Sequence, residues 1–396
     1  MSDGFAPDHL QLQKVSVSFE YPVIFCEDAL APESRHLQWA IARDAVERRH
    51  PTVFFLDGGV EAAWPNTAQR ATRYAAKHSN TLELRGPVIA VPGGEAAKND
   101  ESVVRGAIEA LASARMDRHG SVVAIGGGAV LDAVGYAASL VHRGLRVVRC
   151  PTTVLAQNDA GIGVKNGVNA YGAKNFLGTF APPWAVINAS TWLHTLPERD
   201  LRAGLAEAVK VACIRDAAFF GWLERHAAEL GEPGAALEEA IRRCAELHLA
   251  HIADSGDPFE LGSARPLDYG HWSAHKLELA SGHELRHGEA VAIGMLLDAR
   301  YAYEVGMLPA PALGRLERLL DDLRLPTHHA ALETTDAGEL ALLRGLDDFR
   351  EHLGGELTVT LLQDIGRAVE VHAMDHDAIR RSIAWLSERH SGSGRP

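Results

Sequence analysis

The chain has 396 residues, of which 46% are apolar and 23% charged, and its formal net charge is −13. This composition is typical of a soluble globular protein long enough for two domains. It argues against a nucleic-acid-binding surface, which would need clustered basic residues, but it leaves room for a small cationic pocket for an anionic metabolite.

The pattern of cysteines and apolar runs bears on the compartment. The four cysteines stand far apart without a CxxC pair, which indicates reduced thiols in a cytoplasmic protein. No apolar run approaches the length of a transmembrane helix, and the first residues lack the basic start and apolar core of a signal peptide. We therefore expect a cytoplasmic protein with neither a membrane nor a nucleic-acid partner.

Predicted strands and helices alternate through the first half of the chain. The strands are predicted within 12–26 and at 52–56, 88–91, 121–125 and 146–149, and the helices at 35–49, 67–78, 100–116 and 129–142. Alternation at this length predicts a parallel α/β layer of the Rossmann type.

Long amphipathic stretches follow in the second half. Helices are predicted at 198–228, 233–253, 271–305, 309–322 and 375–389, with one strand near 356–362. We predict an N-terminal α/β domain at 1–187, a mostly helical C-terminal domain at 188–390, an active site in the cleft between them, and a disordered tail at 391–396.

A histidine-rich stretch begins near residue 271. His271 and His275 are one helical turn apart and share a face, and a hairpin of two helices could bring His287 back beside His271. With a carboxylate, best supplied by Glu207, two imidazoles would form a catalytic zinc site. The alternative is a set of ordinary solvated or hydrogen-bonded helix residues, because the chain has 20 His.

Three glycines, Gly126 to Gly128, lie between a predicted strand and a predicted helix. Such a loop lets backbone N–H groups approach a pyrophosphate at a helix N-terminus, although a plain tight turn would look the same. Asp57, at the end of an earlier strand, could accept a hydrogen bond from a ribose hydroxyl. Glu95 and Lys98 could contact a second ribose or be ordinary loop charges.

The segment 151–175 is polar and glycine-rich. Its Lys165, Lys174 and Asn175 suit a bound phosphate, and a solvated surface loop would explain the same composition. Lys210 shares a helix face with Glu207, either as its ion-pair partner or as a substrate contact.

Together these motifs resemble the dehydroquinate-synthase family of sugar phosphate cyclases, from about Phe54 to Ala368. The matching segments are GGGAVLD at 126–132, PTTVLA at 151–156, the polar stretch 159–175, GLAEAVK at 204–210, GHWSAH at 270–275 and HGEAVAIG at 287–294. The resemblance is specific because many separate motifs occur in the same order as in the family.

The resemblance implies an NAD-binding N-terminal domain, a zinc-binding C-terminal domain in which Co²⁺ could replace zinc, and a homodimer. The zinc ligands it implies are Glu207, His271 and His287. The residues it implies for NAD are Asp57, Glu95, Lys98, Gly127, Gly128, Asp132, Thr152, Thr153, Asp159, Lys165 and Lys174. The residues it implies for the sugar phosphate are Lys165, Asn175, Lys210, Asp268 and His275, with Arg143 supplied by the partner subunit. Catalysis is assigned to Lys165, Lys210, Asp268 and His275.

The mechanism that the resemblance implies uses NAD as a catalyst. NAD oxidises a substrate hydroxyl to a ketone, which acidifies the neighbouring C–H so that phosphate leaves by β-elimination. The hydride then returns, the ring opens, and an intramolecular aldol step closes a carbocycle. NAD is regenerated in each cycle.

Several positions depart from the usual family pattern. An ungapped alignment back from the zinc histidine places Ala250 and Ala264 where a Lys and an Arg usually hold a substrate carboxylate. A shift in register could replace one cation with His251 or Arg265. Asp268 stands where the family usually has Asn.

Loss of both cations favours a neutral sugar over an acidic one. We therefore predict a cyclase for a C7 ketose phosphate such as sedoheptulose 7-phosphate, giving a valiolone-type cyclitol. The alternatives are a 3-dehydroquinate synthase, a metal- and NAD-dependent polyol dehydrogenase, and a catalytically inactive binding protein.

Overall fold

A seven-stranded parallel sheet forms the N-terminal half of the protein. The structure, a computed structural model, describes residues 10–171, 173–254, 257, 259, 267–336, 339–352 and 355–392. The strands of this half are β1 (Val23–Cys26), β2 (His50–Asp57), β3 (Leu82–Leu84), β4 (Ile89–Val91), β5 (Ser121–Gly126), β6 (Arg146–Pro151), β7 (Lys165–Ala170), β8 (Ala173–Phe180) and β9 (Ala185–Ala189). The sheet order is β1-β9-β6-β5-β2-β3, with β4 also paired to β2.

Helices cover both faces of this sheet. They are α1 (His36–Ala42), α2 (Gly58–Ala63), α3 (Thr67–Lys77), α4 (Ala96–Asn99), α5 (Glu101–Ser113) and α6 (Gly128–Leu140). β2 is buried at every residue, because its apolar run lacks the polar alternation of a half-exposed strand. Phe54 and Leu56 pack on the side of α1 and α3, whereas Val53 and Phe55 pack on the side of α5 and α6. The predicted Rossmann-like layer is confirmed.

The C-terminal half is mostly helical, as predicted. Its elements are α7 (Glu198–Arg215), α8 (Ala217–His226), α9 (Ala235–Asp254), α10 (His271–Ala280), α11 (His287–Glu304), α12 (Ala310–Asp322), β10 (Thr335–Asp336), β11 (Glu339–Leu340), α13 (Arg344–His352), β12 (Val359–Asp364), β13 (Arg367–Val371) and α14 (His376–Gly392). α11 is buried over most of its length and packs against α7, α10, α12 and α14. A helix that is apolar nearly all round takes such a central place.

Three details differ from the sequence-based predictions. The strand predicted within 12–26 is wrong before Val23, because residues 10–20 are exposed and form no strand. The polar segment 151–175 contains the antiparallel β7–β8 hairpin instead of only a loop. Ser391 and Gly392 belong to α14, so two residues of the predicted disordered tail are helical, and residues 393–396 lie outside the described part.

Two further predictions concern the domain boundary and the absence of a transmembrane helix. β9 continues to Ala189, two residues past the predicted domain boundary at 187. Within the described ranges, no helix combines the length and the apolar character that a membrane crossing requires.

Candidate active site

The candidate site lies where the carboxyl end of β6 meets the C-terminal helices. β6 leads into a single π-helical turn, Ala156–Ala160, which packs against α7 and α9. The Asn158 side chain donates to Gly204 O at 2.9 Å, and so fastens this turn to α7. π-Helical turns of this kind are often found at functional sites.

A buried arginine fixes the chain that follows the π-helical turn. Arg149 has no exposed surface. Its Nη1 donates to the carbonyl oxygens of Gly161 and Gly163 at 3.1 and 2.8 Å. Its Nη2 donates to Lys165 O at 3.1 Å and to Asn166 Oδ1 at 2.7 Å. Two of these four hydrogen bonds therefore hold the start of β7, where Lys165 lies, to the sheet, and the other two hold the residues just before it.

The three predicted metal ligands come together from three helices. One ligand atom each of Glu207 (α7), His271 (α10) and His287 (α11) lies within 4.8 Å of the other two. Glu207 is fully buried, and its Oε1, 4.0 Å from His271 Nε2, has no hydrogen-bond partner among the described residues. An unpaired buried carboxylate oxygen is costly unless a cation completes its surroundings.

Both histidine rings are held by their Nδ1 atoms. His271 Nδ1 donates to Tyr269 O at 3.2 Å, and His287 Nδ1 lies 2.8 Å from Glu278 Oε1. The second ring nitrogen of each is left for a metal, which is the usual arrangement of metal-bound histidines. The donor set of one carboxylate and two imidazoles fits a divalent cation such as zinc.

The electrostatics of the site favour the ligand forms of these groups. Burial, and then the nearby Lys210, lowers the pKa of His271 to about 3, so its imidazole is neutral. Burial raises the pKa of Glu207, but Lys210, whose Nζ is 2.6 Å from Glu207 Oε2, acts together with His248 and His271 to hold that pKa well below its ordinary value. A carboxylate and neutral imidazoles are the states that bind metals.

A second group of potential ligands contains Asp159, Glu207 and His248. This group would use Glu207 Oε2, which is 3.7 Å from His248 Nε2. The ammonium of Lys210 already lies against the same oxygen, so a metal there would meet a like charge. The group that includes His271 and His287 is the better metal site.

Close helix packing brings His271 to its position. Gly270, which precedes α10, has a φ of 79°, and a Cβ there would be 2.7 Å from Met295 N. A Cβ on Gly294 of α11 would collide with Gly270 O. The glycines at 270 and 294 therefore let the start of α10 approach the backbone of α11.

His248 is a site residue that the sequence analysis missed. It is 4% exposed, and its Nδ1 is 3.4 Å from Asp159 Oδ1. The available signal was its position on α9, where it continues the buried face formed by Leu237, Ile241 and Cys244. A histidine at spacings of three and four residues along an apolar face indicates a buried, directed imidazole.

The ungapped alignment placed Ala250 where a Lys usually holds the substrate carboxylate, and the structure contradicts this placement. Its side chain is exposed on α9, and the residue of α9 that faces the site is His248, two positions earlier. The ungapped alignment therefore places this helix out of register. His251 is half-buried, and its Nδ1 is 2.6 Å from Arg215 Nη2. Burial and then Arg215 lower the pKa of His251 to about 4.

The two other positions of that comparison, Ala264 and Arg265, lie outside the described residues. Asp268 is described, and it stands close to the metal ligands. Burial raises its pKa, but His271, Lys165, Lys210 and His275 together lower that pKa below its ordinary value. Asp268 is therefore an anion inside the site. Burial and then His287 lower the pKa of His275 to about 4, so His275 is neutral.

Several residues predicted to bind NAD form two groups of contacts, around Lys98 and around Asp57. Lys98 Nζ is 2.8 Å from Asp132 Oδ2 and also donates to Asn175 Oδ1. Asp57 accepts from Gly59 N at 2.7 Å, and so caps α2. It also lies 3.3 Å from Gly127 N, which ties two strand ends together at the start of α6.

Three further residues predicted to bind the cofactor, Thr152, Thr153 and Glu95, lie in the loops that follow β6 and β4. Thr153 Oγ1 accepts from Ala156 N at 3.1 Å, whereas the buried Thr152 Oγ1 has no partner within the described part of the chain. Glu95 Oε2 accepts from Asn169 at 3.1 Å. Gly128 begins α6, so the positive end of this helix faces the edge where a phosphate is predicted.

Arg143 is the one predicted substrate residue that lies far from the others. It is exposed in the turn after α6, with a φ of 66°. α6 has 13 residues, which places its two ends about 20 Å apart. Arg143 is thus at the opposite end of α6 from Gly128. Its contribution to a partner subunit stays a prediction.

Two family models match the chain. One, described as 3-dehydroquinate synthase N-terminal, covers residues 88–203, and the other, described as 3-dehydroquinate synthase C-terminal, covers residues 204–343. A 3-dehydroquinate synthase of Rhodopseudomonas palustris (strain BisB18) is 38% identical over 355 residues, which cover 87% of this chain and 92% of that protein. Another, of Xylella fastidiosa (strain 9a5c), is 35% identical and covers 96% of this chain and 94% of that protein.

Solved structures give a complementary result. A 2-epi-5-epi-valiolone synthase from Streptomyces hygroscopicus subsp. jinggangensis 5008, with NAD⁺ and Zn²⁺ bound, is 31% identical, has a TM-score of 0.83 and covers 96% of this chain and 100% of that chain. A 2-deoxy-scyllo-inosose synthase complexed with carbaglucose-6-phosphate, NAD⁺ and Co²⁺ has a TM-score of 0.71 at 22% identity and covers 91% of this chain and 95% of that chain, so it supports the fold. The chain belongs to the dehydroquinate synthase family of sugar phosphate cyclases.

Proposed function

We propose that this enzyme converts a neutral C7 ketose phosphate, such as sedoheptulose 7-phosphate, to a carbocyclic ketone with elimination of phosphate. The observation that carries the choice of substrate is Asp268, a half-buried anion whose backbone oxygen accepts from His271 N at 2.9 Å. A carboxylate accepts hydrogen bonds from sugar hydroxyls, but it repels a second carboxylate. A neutral polyol phosphate therefore suits this site better than an acidic sugar.

The residue that α9 directs into the site supports the same choice. His248 offers an imidazole where a permanently charged Lys or Arg would attract a carboxylate, and its Nε2 has no hydrogen-bond partner in the described ranges. An imidazole nitrogen can bond a hydroxyl in either its donor or its acceptor form. The valiolone synthase whose structure resembles this chain adds weight to the proposal.

We further propose zinc at Glu207, His271 and His287 and NAD at the carboxyl edge of the sheet. When bound, zinc would polarise adjacent sugar hydroxyls, and NAD would take and return a hydride. Thr152, with its unpartnered hydroxyl, and the N-terminus of α6 fit a dinucleotide phosphate at this edge.

The chain's own residues would orient the sugar and move its protons. Neutral His275 could take a proton or donate a hydrogen bond beside the metal ligands. Burial lowers the pKa of Lys210, but Glu207, Asp159 and Asp268 together raise it above its ordinary value, so its ammonium would stabilise negative charge on a substrate oxygen. Lys165 and Asn175 would bind the phosphate.

The proposed enzyme acts as a cytoplasmic homodimer. Arg143 lies far from its own site along α6, so we propose that it reaches the phosphate bound by the partner subunit. Neither a membrane nor a nucleic acid takes part in this proposal.

The second candidate is a 3-dehydroquinate synthase. The curated relatives at 35–38% identity carry that name. Arg215 and His251 also form a pair near Asp268 and Lys165, where a guanidinium could receive a substrate carboxylate.

The test is a substrate comparison. The purified enzyme, NAD and Zn²⁺ are incubated separately with sedoheptulose 7-phosphate and with the carboxylated heptulosonate phosphate, and phosphate release and product mass are measured. We expect efficient carbocycle formation from the neutral sugar. Conversion of the carboxylated sugar alone would establish the second candidate, and stoichiometric NADH would indicate a dehydrogenase.

A further inference from the structure

Glu278 is a buried carboxylate that no assignment of the site has used. It lies on α10, one turn after His275, and is 4% exposed. Its two oxygens have different partners: Oε1 is 2.8 Å from His287 Nδ1, and Oε2 is 2.6 Å from Lys174 Nζ. The carboxylate thus stands between a candidate metal ligand and a lysine of the other domain.

His287 needs such support more than His271 does. It is the first residue of α11, and its side chain is 25% exposed, compared with 10% for His271. Packing alone therefore restrains its ring less. A carboxylate that accepts from Nδ1–H fixes the tautomer and the ring orientation, and it makes the opposite nitrogen a better donor to a metal.

Lys174 determines whether Glu278 can stay in this position. A buried carboxylate is costly without a cation, and the Lys174 ammonium supplies one from β8. Its Nζ is also 3.9 Å from Glu95 Oε1, so the ammonium is shared between α10 and the loop before α4. The contact joins the helix that carries His271 to the sheet domain.

We propose that Glu278 is the positioning residue for His287 and that Lys174 holds Glu278 in place, so that metal affinity depends on a contact between the two domains. The proposal rests on the metal site of the proposed function. It makes the β7–β8 hairpin, which is far from the metal ligands in sequence, part of the support of the metal site.

Two other roles for Glu278 lead to different outcomes. It could bind the metal itself, because His275, Glu278 and His287 also form a compact group. It could instead be an ordinary ion pair that only stabilises the fold. A ligand would be as indispensable as His271, whereas an ion pair would change the stability of the metal-free protein without changing its metal affinity.

The experiment measures Zn²⁺ affinity of the metal-stripped full chain by competition with a chromogenic chelator. The variants are Glu278→Gln, Glu278→Ala and Lys174→Met, with His271→Ala as the reference for a lost ligand. Lys276→Met is the matched control: Lys276 pairs with Asp348 at 2.8 Å, and its side chain is 23% exposed, compared with 24% for Lys174. The unfolding midpoint of each metal-free variant is measured in parallel.

We expect Glu278→Ala to bind one Zn²⁺ per chain about 10- to 100-fold more weakly than the wild type. Glu278→Gln keeps the shape and one acceptor oxygen, so it should fold normally. Its Zn²⁺ affinity should lie between those of the wild type and Glu278→Ala. Lys174→Met should weaken binding by a smaller factor, and Lys276→Met should not change it.

Wild-type affinity in both Glu278 variants would overturn the positioning role. Loss of zinc from Glu278→Gln as complete as from His271→Ala would make Glu278 a ligand and also overturn it. Equal affinities in Lys174→Met and Lys276→Met would refute the part played by Lys174. Wild-type affinity in His271→Ala would instead refute the metal site of the proposed function.

Discussion

The two oxygens of Glu207 face different neighbours. Oε2 contacts Lys210 and is approached by His248, whereas Oε1 faces His271. One carboxylate can therefore pair with the Lys210 ammonium through Oε2 and bind a metal through Oε1. His271, which faces Oε1, and His275 lie one turn apart on the same helix, and we propose separate roles for them.

The separation can be tested with a pair of histidine variants. His271→Ala removes one of three proposed ligands. Removal of a residue that only hydrogen-bonds to a ligand typically weakens metal affinity by roughly 10- to 100-fold, so we expect His271→Ala to weaken zinc affinity by more than this. His275→Ala should keep the metal and lose activity. Metal analysis and phosphate release measure the two effects. Full metal occupancy in active His271→Ala enzyme would contradict the ligand assignment.

Asp268 gives a second prediction at this scale. Asp268→Asn removes the negative charge near the substrate but keeps the shape and one acceptor oxygen. We expect the ratio of kcat/KM for the carboxylated sugar to that for the neutral sugar to rise by roughly 10-fold or more, because a like-charge repulsion is lost. Glu284→Gln, at an exposed carboxylate, is the control. An unchanged ratio in Asp268→Asn would show that this carboxylate does not select the substrate.

The structure brings Glu207, His271 and His287 together, as a helix repeat and the motif order predicted. Their role as metal ligands stays a prediction. His248 was missed because the ungapped alignment was out of register by two residues on this helix and pointed to Ala250. Glu278 was missed because its role exists only after α10, α11 and β8 have come together.

At the scale of elements, the α10–α11 pair positions the metal ligands. Gly270 and Gly294 allow the two backbones to touch. Asp298 of α11 accepts from Gly270 N at 3.0 Å and from Trp272 Nε1 at 2.7 Å, and so holds the first turn of α10. His271 lies between these two donors in sequence.

A pair of glycine variants tests the contact. A Cβ at Gly294 collides with the backbone of Gly270, so we expect Gly294→Ala to lower the free energy of unfolding by about 1–3 kcal/mol, as overpacking typically does. Gly314→Ala is the matched control in α12, where a Cβ would meet only the end of the Arg318 side chain. It should stabilise the protein by about 0.5–1 kcal/mol. Chemical denaturation measures both. Equal effects of the two changes would contradict the close packing.

Asp298 makes the stability of this pair depend on pH. Burial raises its pKa from 3.8 to about 7 in the folded protein. Between these values the folded state retains a proton that the unfolded state has lost, so stability falls as pH rises, by at most about 1.4 kcal/mol per pH unit. Asp298→Asn cannot ionise. We therefore expect the unfolding free energy of the wild type minus that of Asp298→Asn to decrease from pH 5 to pH 8. A constant difference would show that Asp298 titrates normally.

The elements themselves were largely predictable, with instructive exceptions. The buried strands and the long helices follow from apolar runs and helical periodicity. The strand predicted within 12–26 has the right alternation before Val23, but no partner strand lies beside it in the described chain. The β7–β8 hairpin was missed because its polar, glycine-rich sequence resembles a loop, and Arg149 holds its start through carbonyl oxygens that no side-chain pattern reveals.

At the scale of the whole molecule, the site joins the two halves of the chain. The glycine loop, Lys98 and Asp132 come from the sheet half, whereas Glu207, His271 and His287 come from the helices. The parallel sheet and helical layer follow from the order of elements, but the distance between the halves does not, because it depends on contacts such as that between Lys174 and Glu278.

Arg143 extends this argument beyond one chain, because it is exposed and about 20 Å along α6 from the glycine loop. If it completes the partner's site, two inactive variants should complement each other. In a mixed dimer of Arg143→Ala and Glu207→Gln, the site with intact Glu207 receives an intact Arg143 from the other chain. Random exchange makes half of the dimers mixed, each with one complete site, so activity should recover to about a quarter of the wild-type value.

Phosphate release after co-refolding or co-expression measures this recovery of activity, with each variant alone as the control. If Arg143 served its own site, the mixed dimer would contain no complete site and activity would stay at the level of the separate variants.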